Sequence, residues 1–121
     1  MGQEFPRDMV TAFATDKKDP DVIYAAMMNA GVYKTIDGGL SWRPAHHGLA
    51  STQVESLLID SQYPRILYAV TMDGIYKTED GGENWFRIGD GTYLLMDNQD
   101  NSHLYARDEN GIYETTDQGN T

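Results

Sequence analysis

The chain contains no cysteine, which removes disulfide frameworks, thiolate metal sites and thiol nucleophiles together. Basic residues are scarce. Against 19 Asp and Glu stand only 9 Lys and Arg, a formal net charge of -10. Phosphate binding draws its affinity from clustered Lys and Arg, and no basic stripe occurs, so nucleic acid is disfavoured as a partner. Anionic membrane surfaces are disfavoured for the same reason. No apolar run approaches the roughly 20 residues of a membrane-spanning helix, and the opening residues MGQEFPRD lack the apolar core of a signal peptide. No compartment follows from these features. Nor does any stretch repeat its apolar residues at a helical period. With 40% hydrophobic content, 12 Gly and 8 Tyr, the composition is that of a strand-rich globular protein the size of one ordinary domain.

What the chain does have is an internal repeat. IYAAMMNAGVYKTIDGGLSW begins at Ile23, LYAVTMDGIYKTEDGGENW at Leu67 and LYARDENGIYETTDQGNT at Leu104. Each reads apolar-Tyr-Ala, a short linker, Gly-apolar-Tyr-(Lys/Glu)-Thr and an Asp-containing turn. The Gly-apolar-Tyr elements start at Gly31, Gly74 and Gly111, 43 and 37 residues apart, and Asp16, Asp60 and Asp97 precede strand two of each copy. Periods near 40 residues with several short strands per unit are those of propeller blades. The expected strands are Val10–Ala14, Val54–Ile59 and Tyr93–Met96 for strand one, and Ile23–Ala26, Ile66–Val70 and Leu104–Arg107 for strand two. Strand three follows at Val32–Thr35, Ile75–Thr78 and Ile112–Thr115, and strand four starts at Trp42 and Trp85. β-Branched and aromatic residues fill these runs, while Gly, Asp, Asn and Pro fill the gaps. The expected fold is therefore all-β, with three four-stranded blades over about residues 8–53, 54–91 and 92–121.

Between strands three and four stand Thr35-Ile36-Asp37-Gly38-Gly39-Leu40-Ser41-Trp42 and Thr78-Glu79-Asp80-Gly81-Gly82-Glu83-Asn84-Trp85. A third copy runs Thr116-Asp117-Gln118-Gly119-Asn120-Thr121. These resemble the Asp-box (BNR repeat), S/T-x-D-x-G-x-S/T-W, of sialidases, xyloglucanases, sortilin-type receptors and photosystem II assembly-factor propellers. The resemblance covers nearly the whole chain and speaks for fold rather than function, because those families share the hairpin and differ in chemistry. Physically the box is a turn that satisfies itself. The Asp carboxylate accepts loop N–H groups and a hydroxyl, a Gly such as Gly39 or Gly82 takes positive φ, and the Trp packs between blades. On this reading Asp37, Gly39, Ser41, Trp42, Asp80, Gly82, Asn84, Trp85, Asp117, Gly119 and Thr121 are structural. A residue that recurs in every copy does not mark a unique active site.

Strand four of the third repeat is absent after Thr121, and the opening residues resemble it: Gly2-Gln3-Glu4-Phe5-Pro6-Arg7 aligns with Gly82-Glu83-Asn84-Trp85-Phe86-Arg87, placing Phe5 at the Trp position. Residues 2–7 are thus expected to supply a fourth strand to a third blade, hiding an edge. Propellers typically have about four to eight blades, so two copies joined head to tail would make a six-bladed ring. A piece of a longer propeller is the alternative. Both predict association, most simply a homodimer.

In Asp-box propellers the boxes lie opposite the usual ligand face, so the resemblance points to the loops carrying Met28, Asn29, His46, His47, Asp73, Asp90, Asp108 and Glu109. Little there suggests chemistry. His46 and His47 could ligate metal or shuttle protons, but adjacent residues of a loop point apart and no third ligand accompanies them. The acidic residues could supply a glycosidase pair, though charged turn residues are far commoner. Sialidases group three arginines around a carboxylate, whereas Arg7, Arg43 and Arg87 follow the blade aromatic and read as part of the repeat. The run Asp97–Ser102 lacks the Gly and Glu of a calcium loop, and no cofactor is expected. The expected function is a non-enzymatic scaffold or binding module whose partner the sequence does not identify, a protein and a glycan being the candidate ligands. The alternative is a carbohydrate-binding protein or part of an Asp-box glycoside hydrolase.

Overall fold

Short runs of β-branched and aromatic residues, cut by Gly- and Asp-bearing turns, form strands and no helix among the described residues of the computed structural model, which are 10–96, 104–108 and 111–115. The first sheet holds β1 (Val10–Thr15), β2 (Ile23–Met27), β3 (Gly31–Thr35) and β4 (Arg43–Pro44) in that order. The second holds β5 (Val54–Ile59), β6 (Leu67–Thr71), β7 (Gly74–Thr78) and β8 (Trp85–Gly89). In the third, β9 (Tyr93–Met96), β10 (Leu104–Asp108) and β11 (Gly111–Thr115) are joined in the order β11-β10-β9 among the described residues. All neighbours are antiparallel, so each sheet is a meander of hairpins.

The repeat extends to the register. Tyr24 stands opposite Lys34, Tyr68 opposite Lys77 and Tyr105 opposite Glu114. The irregularity between Val10 and Ala12 in β1 recurs between Val54 and Ser56 in β5. The fourth strand breaks the likeness. It was expected to start at Trp42, but β4 covers only Arg43–Pro44, whereas β8 runs five residues from Trp85. Pro44 faces Tyr33 where β8 places Arg87 opposite Tyr76. Proline has no N–H to extend a ladder, and the chain returns to β3 only at Ala45, whose N–H donates to the Val32 carbonyl at 2.7 Å.

The core lies between the sheets. Ala14, Tyr24, Ala26 and Val32 of the first sheet meet Leu57, Leu67, Tyr76 and Trp85 of the second. Tyr68, Val70 and Ile75 on the other side of the second sheet meet Leu94 and Leu104 of the third. The second sheet is therefore covered on both faces, and β6 and β7 are buried along their whole lengths. Main-chain bonds tie the first pair of sheets: the Trp85 N–H donates to the His47 carbonyl at 2.8 Å, and the Gly31 N–H to the Thr52 carbonyl at 2.9 Å. Gly48, at φ +99, admits this approach, because a Cβ there would lie 2.2 Å from the Trp85 carbonyl oxygen.

The two outward faces differ from this interior. Trp85 is 4% exposed, but Trp42, expected to be buried like it, is only half-buried. The reason is its position: Trp85 is sealed by the first sheet, and Trp42 lies on the side of that sheet which no described sheet covers. Phe13 on the same side is 60% exposed, and Ile112 on the far side of the third sheet is 73% exposed.

Candidate functional site

The antiparallel order sends the β3–β4 and β7–β8 connections to one end of the sheets, and the β2–β3, β6–β7 and sheet-to-sheet loops to the other. At the first end the two Asp turns are near copies. The Thr35 hydroxyl donates to Asp37 Oδ1 at 2.7 Å and accepts the Gly39 N–H at 3.0 Å. Asp37 in turn accepts the Ser41 N–H at 2.9 Å and the Ser41 hydroxyl at 2.6 Å. In the second sheet Thr78, Gly82 and Asp80 repeat this, with the Asn84 N–H at 2.9 Å and its side-chain amide at 3.0 Å from the carboxylate. Gly39 and Gly82 have φ of +98 and +90. The hydroxyl of Ser41, then that of Thr35, hold Asp37 down at about 2. Around Asp80, burial pushes the other way, yet donors from Asn84 and Thr78 outweigh it and the carboxyl is lowered. Both carboxylates are thus engaged by donors of their own turns. Asp117, Gly119 and Thr121 lie outside the described residues, as does Phe5.

At the opposite end the structure separates the residues singled out from sequence. His46 turns inward over Gly31, its ring edge-on to Tyr33 at 5.9 Å and its Nδ1 3.1 Å from the Val32 carbonyl. His47 is exposed, and its carbonyl takes the Trp85 N–H. Met28 is 41% exposed, and Asn29 accepts from the Gln53 amide at 3.3 Å. Asp73 and Asp90 are brought together by a residue set aside as structural, Arg87. Its guanidinium donates to the Asp73 carbonyl at 3.0 Å and to the Asp90 carboxylate, and lies 3.5 Å from the Asp73 carboxylate. The Tyr76 hydroxyl donates to Asp73 at 2.6 Å, which raises its own pKa, and Asp90 raises that of Arg87. A cation between two carboxylates, with a phenol on one, braces this end of the second sheet. Asp108 pairs through its backbone with Gly111, and Glu109 lies outside the described residues. No group of three or more potential metal donors occurs among the described residues.

A concavity lies on the outer face of the third sheet, a hollow of about 330 Å³ lined by Tyr93, Leu95, Tyr105, Ala106, Arg107 and Ile112. Arg107 lies over the Tyr93 ring, 4.9 Å from its centroid. Sequence spacing did not mark this place, because in the second sheet the same positions are covered by a neighbour.

No family model matches the sequence, and no curated protein matches it. Its fold does match solved structures. An ancestral GH74 enzyme superposes with a TM-score of 0.80 at 16% identity, over 98% of this chain and 18% of that one. YCF48 bound to D1 peptide superposes at 0.70 and 21% identity, over 98% of this chain and 41% of that one. The GH74 xyloglucanase from Xanthomonas campestris superposes at 0.55 and 13% identity, over 93% of this chain and 29% of that one. All are β-propeller proteins, and this chain spans less than half the length of each.

Proposed function

We propose that the chain is a set of Asp-box propeller blades, over about residues 8–53, 54–91 and 92–121, acting as a non-enzymatic module that binds a protein. The supporting observation is the state of the loop end, where ligands of propellers are bound. Asp73, Asp90 and His46, the groups best suited to acid–base work, are each engaged in local bonds that shape the loops. A fold shared with YCF48 bound to D1 peptide agrees with a peptide ligand. Asp37, Asp80 and Asp117 serve the turns on this reading.

A carbohydrate ligand is the second reading, favoured by the fold shared with the GH74 proteins. A peptide array run beside a glycan array and a hydrolysis screen on aryl glycosides and xyloglucan separates them. Peptide binding without turnover supports the first reading, glycan binding alone supports the second, and turnover overturns both non-catalytic assignments.

Among the described residues no sheet covers the outer apolar faces of the first and third sheets, which fits docking of further blades. They are opposite in kind, as in a head-to-tail contact: one presents Trp42 and Phe13, the other the hollow beside Tyr105. Two copies would make a six-bladed ring, with residues 2–7 entering the partner's third blade. Light scattering on the full chain tests it, and a monodisperse monomer at every concentration overturns the ring from two copies.

A further inference from the structure

The face of the first sheet that meets the second has a counterpart on the outside of the third, and the register matches them residue for residue. On the first sheet Ala12 stands opposite Ala26 and Ala14 opposite Tyr24; on the third Tyr93 stands opposite Arg107 and Leu95 opposite Tyr105. The four on the first sheet share a core cluster with Leu57 of β5. The four on the third line the hollow, which no described sheet covers. The hollow thus occupies the place where the first sheet receives Leu57.

A polar mark repeats with it. Thr11, just before Ala12, has its hydroxyl 3.3 Å from the Ala26 carbonyl and donates to the Val54 carbonyl of the second sheet at 2.7 Å. Thr92, just before Tyr93, has its hydroxyl 3.4 Å from the Arg107 carbonyl. On the second sheet the same position is Glu55, whose ionised side chain only accepts. The hydroxyl is common to the joint face of the first sheet and the outer face of the third.

A second copy has the matching parts. Its Phe13 stands opposite Ala25, as Leu57 stands opposite Ala69 and Leu94 opposite Ala106. Leu57 and Leu94 are each sealed by the preceding sheet, whereas Phe13 is largely exposed. Val10, opposite Met27, matches Val54, opposite Thr71, so its carbonyl holds the place of the one that accepts from Thr11.

We propose that the hollow of the third sheet seats Phe13 of a second copy, and that the Thr92 hydroxyl donates to the Val10 carbonyl of that copy. The chemistry of the seat suits a ring. Arg107, where the first sheet has Ala26, brings a guanidinium that already lies over Tyr93, and such a group attracts an aromatic face more than an aliphatic one. The inference rests on the reading that two copies complete the ring, and it adds the side chains that make the contact.

Sedimentation equilibrium is measured for wild type, Phe13→Ala, Phe13→Leu, Leu95→Glu, Thr92→Val and Trp42→Ala, with folding checked by circular dichroism. Phe13, Leu95 and Thr92 are exposed in the single chain, so their variants should fold as wild type does. Phe13→Ala and Leu95→Glu should each weaken association by at least about thirtyfold, as for the central residues of a contact. Phe13→Leu should weaken it less, and Thr92→Val by about threefold to tenfold, the loss of one hydrogen bond. An equimolar mixture of Phe13→Ala and Leu95→Glu brings one intact hollow to one intact Phe13, so it should associate more tightly than either variant alone. A mixture no tighter than both variants overturns the pairing of Phe13 with the hollow, and Thr92→Val equal to wild type overturns the hydrogen bond. Wild type that associates and loosens on Trp42→Ala, but not on Phe13→Ala or Leu95→Glu, overturns the seat while leaving ring completion standing. Wild type that stays monomeric at every concentration overturns ring completion and the seat with it.

Discussion

The joint between the first two sheets and the outer face of the third are built on the same strands with the same tyrosines, and they differ in what a neighbour does to them. At the joint, Trp85 is sealed and its indole N–H donates to the Ala45 carbonyl at 2.8 Å; Tyr24 is buried, and desolvation pushes its hydroxyl up to about 12. On the outer face Tyr93, Leu95 and Ile112 remain at least 48% exposed. A blade face is thus defined by the pair of sheets and not by the strands of one. The same residue type can be core in one repeat and surface in the next.

The comparison breaks most visibly at the two tryptophans. Trp85→Ala should cost about 3–5 kcal/mol, as for large buried aromatics, whereas Trp42→Ala should cost about 1–2 kcal/mol because less area is removed from water on folding. Urea unfolding of the two variants checks this, and equal losses would mean that Trp42 is also sealed in solution. Lys34→Glu imposes the charge of Glu114 on the intact joint. Lys34 donates to the Gly81 carbonyl across the joint at 3.0 Å, so a carboxylate in its place should destabilise by about 2–3 kcal/mol, while Glu114→Lys, on the exposed face, should leave the stability of the monomer near wild type.

A loss below that of Trp85→Ala is expected on removing the second turn's carboxylate. Asp80→Ala strands the Asn84 N–H and the Thr78 hydroxyl and should cost about 1–3 kcal/mol, read from the midpoint of chemical unfolding, with any surviving binding unchanged. The first turn sharpens the contrast through pH. Asp37 is depressed from 3.8 to about 2, so the folded state holds the ionised form more firmly than the unfolded chain does. Its contribution is present in full above about pH 4 and is lost as pH falls through about 2. Wild type should therefore lose stability across that interval by a slightly larger amount than Asp37→Asn. Parallel profiles for the two proteins would show that the Ser41 and Thr35 bonds do not act on this carboxylate in solution.

Much of this architecture was legible in the sequence because a blade is a local object. The period between Gly31, Gly74 and Gly111, the Tyr-Lys alternation and the Asp turns all arise within about 40 residues, and the strands fall within a residue of the expected bounds. What lay beyond reading was set by neighbours. Pro44 shortens β4 although Trp42 aligns with Trp85, and Trp42 keeps part of its surface in water because no described sheet covers that side of the first sheet. Glu114 was visible as a departure from Lys34 and Lys77. That Lys34 reaches across to the Gly81 carbonyl of the neighbouring sheet is a contact no spacing within one repeat reveals. At the loop end, Arg87 was read as a repeat residue and His46 as a loop residue, and neither spacing revealed that the first braces Asp73 and Asp90 or that the second lies on Gly31.

The bond from the Trp85 N–H to the His47 carbonyl has a consequence in time rather than in space. Exchange of that amide with solvent requires β8 to part from the loop that leaves the first sheet, so its protection measures separation of two sheets and not fraying within one. Amides of β6, flanked by β5 and β7, exchange only when the second sheet itself opens. A chain whose Trp85 amide exchanges long before those of β6 would be one whose sheets slide apart as intact plates. Exchange in step would mean that neighbouring sheets melt as a single unit.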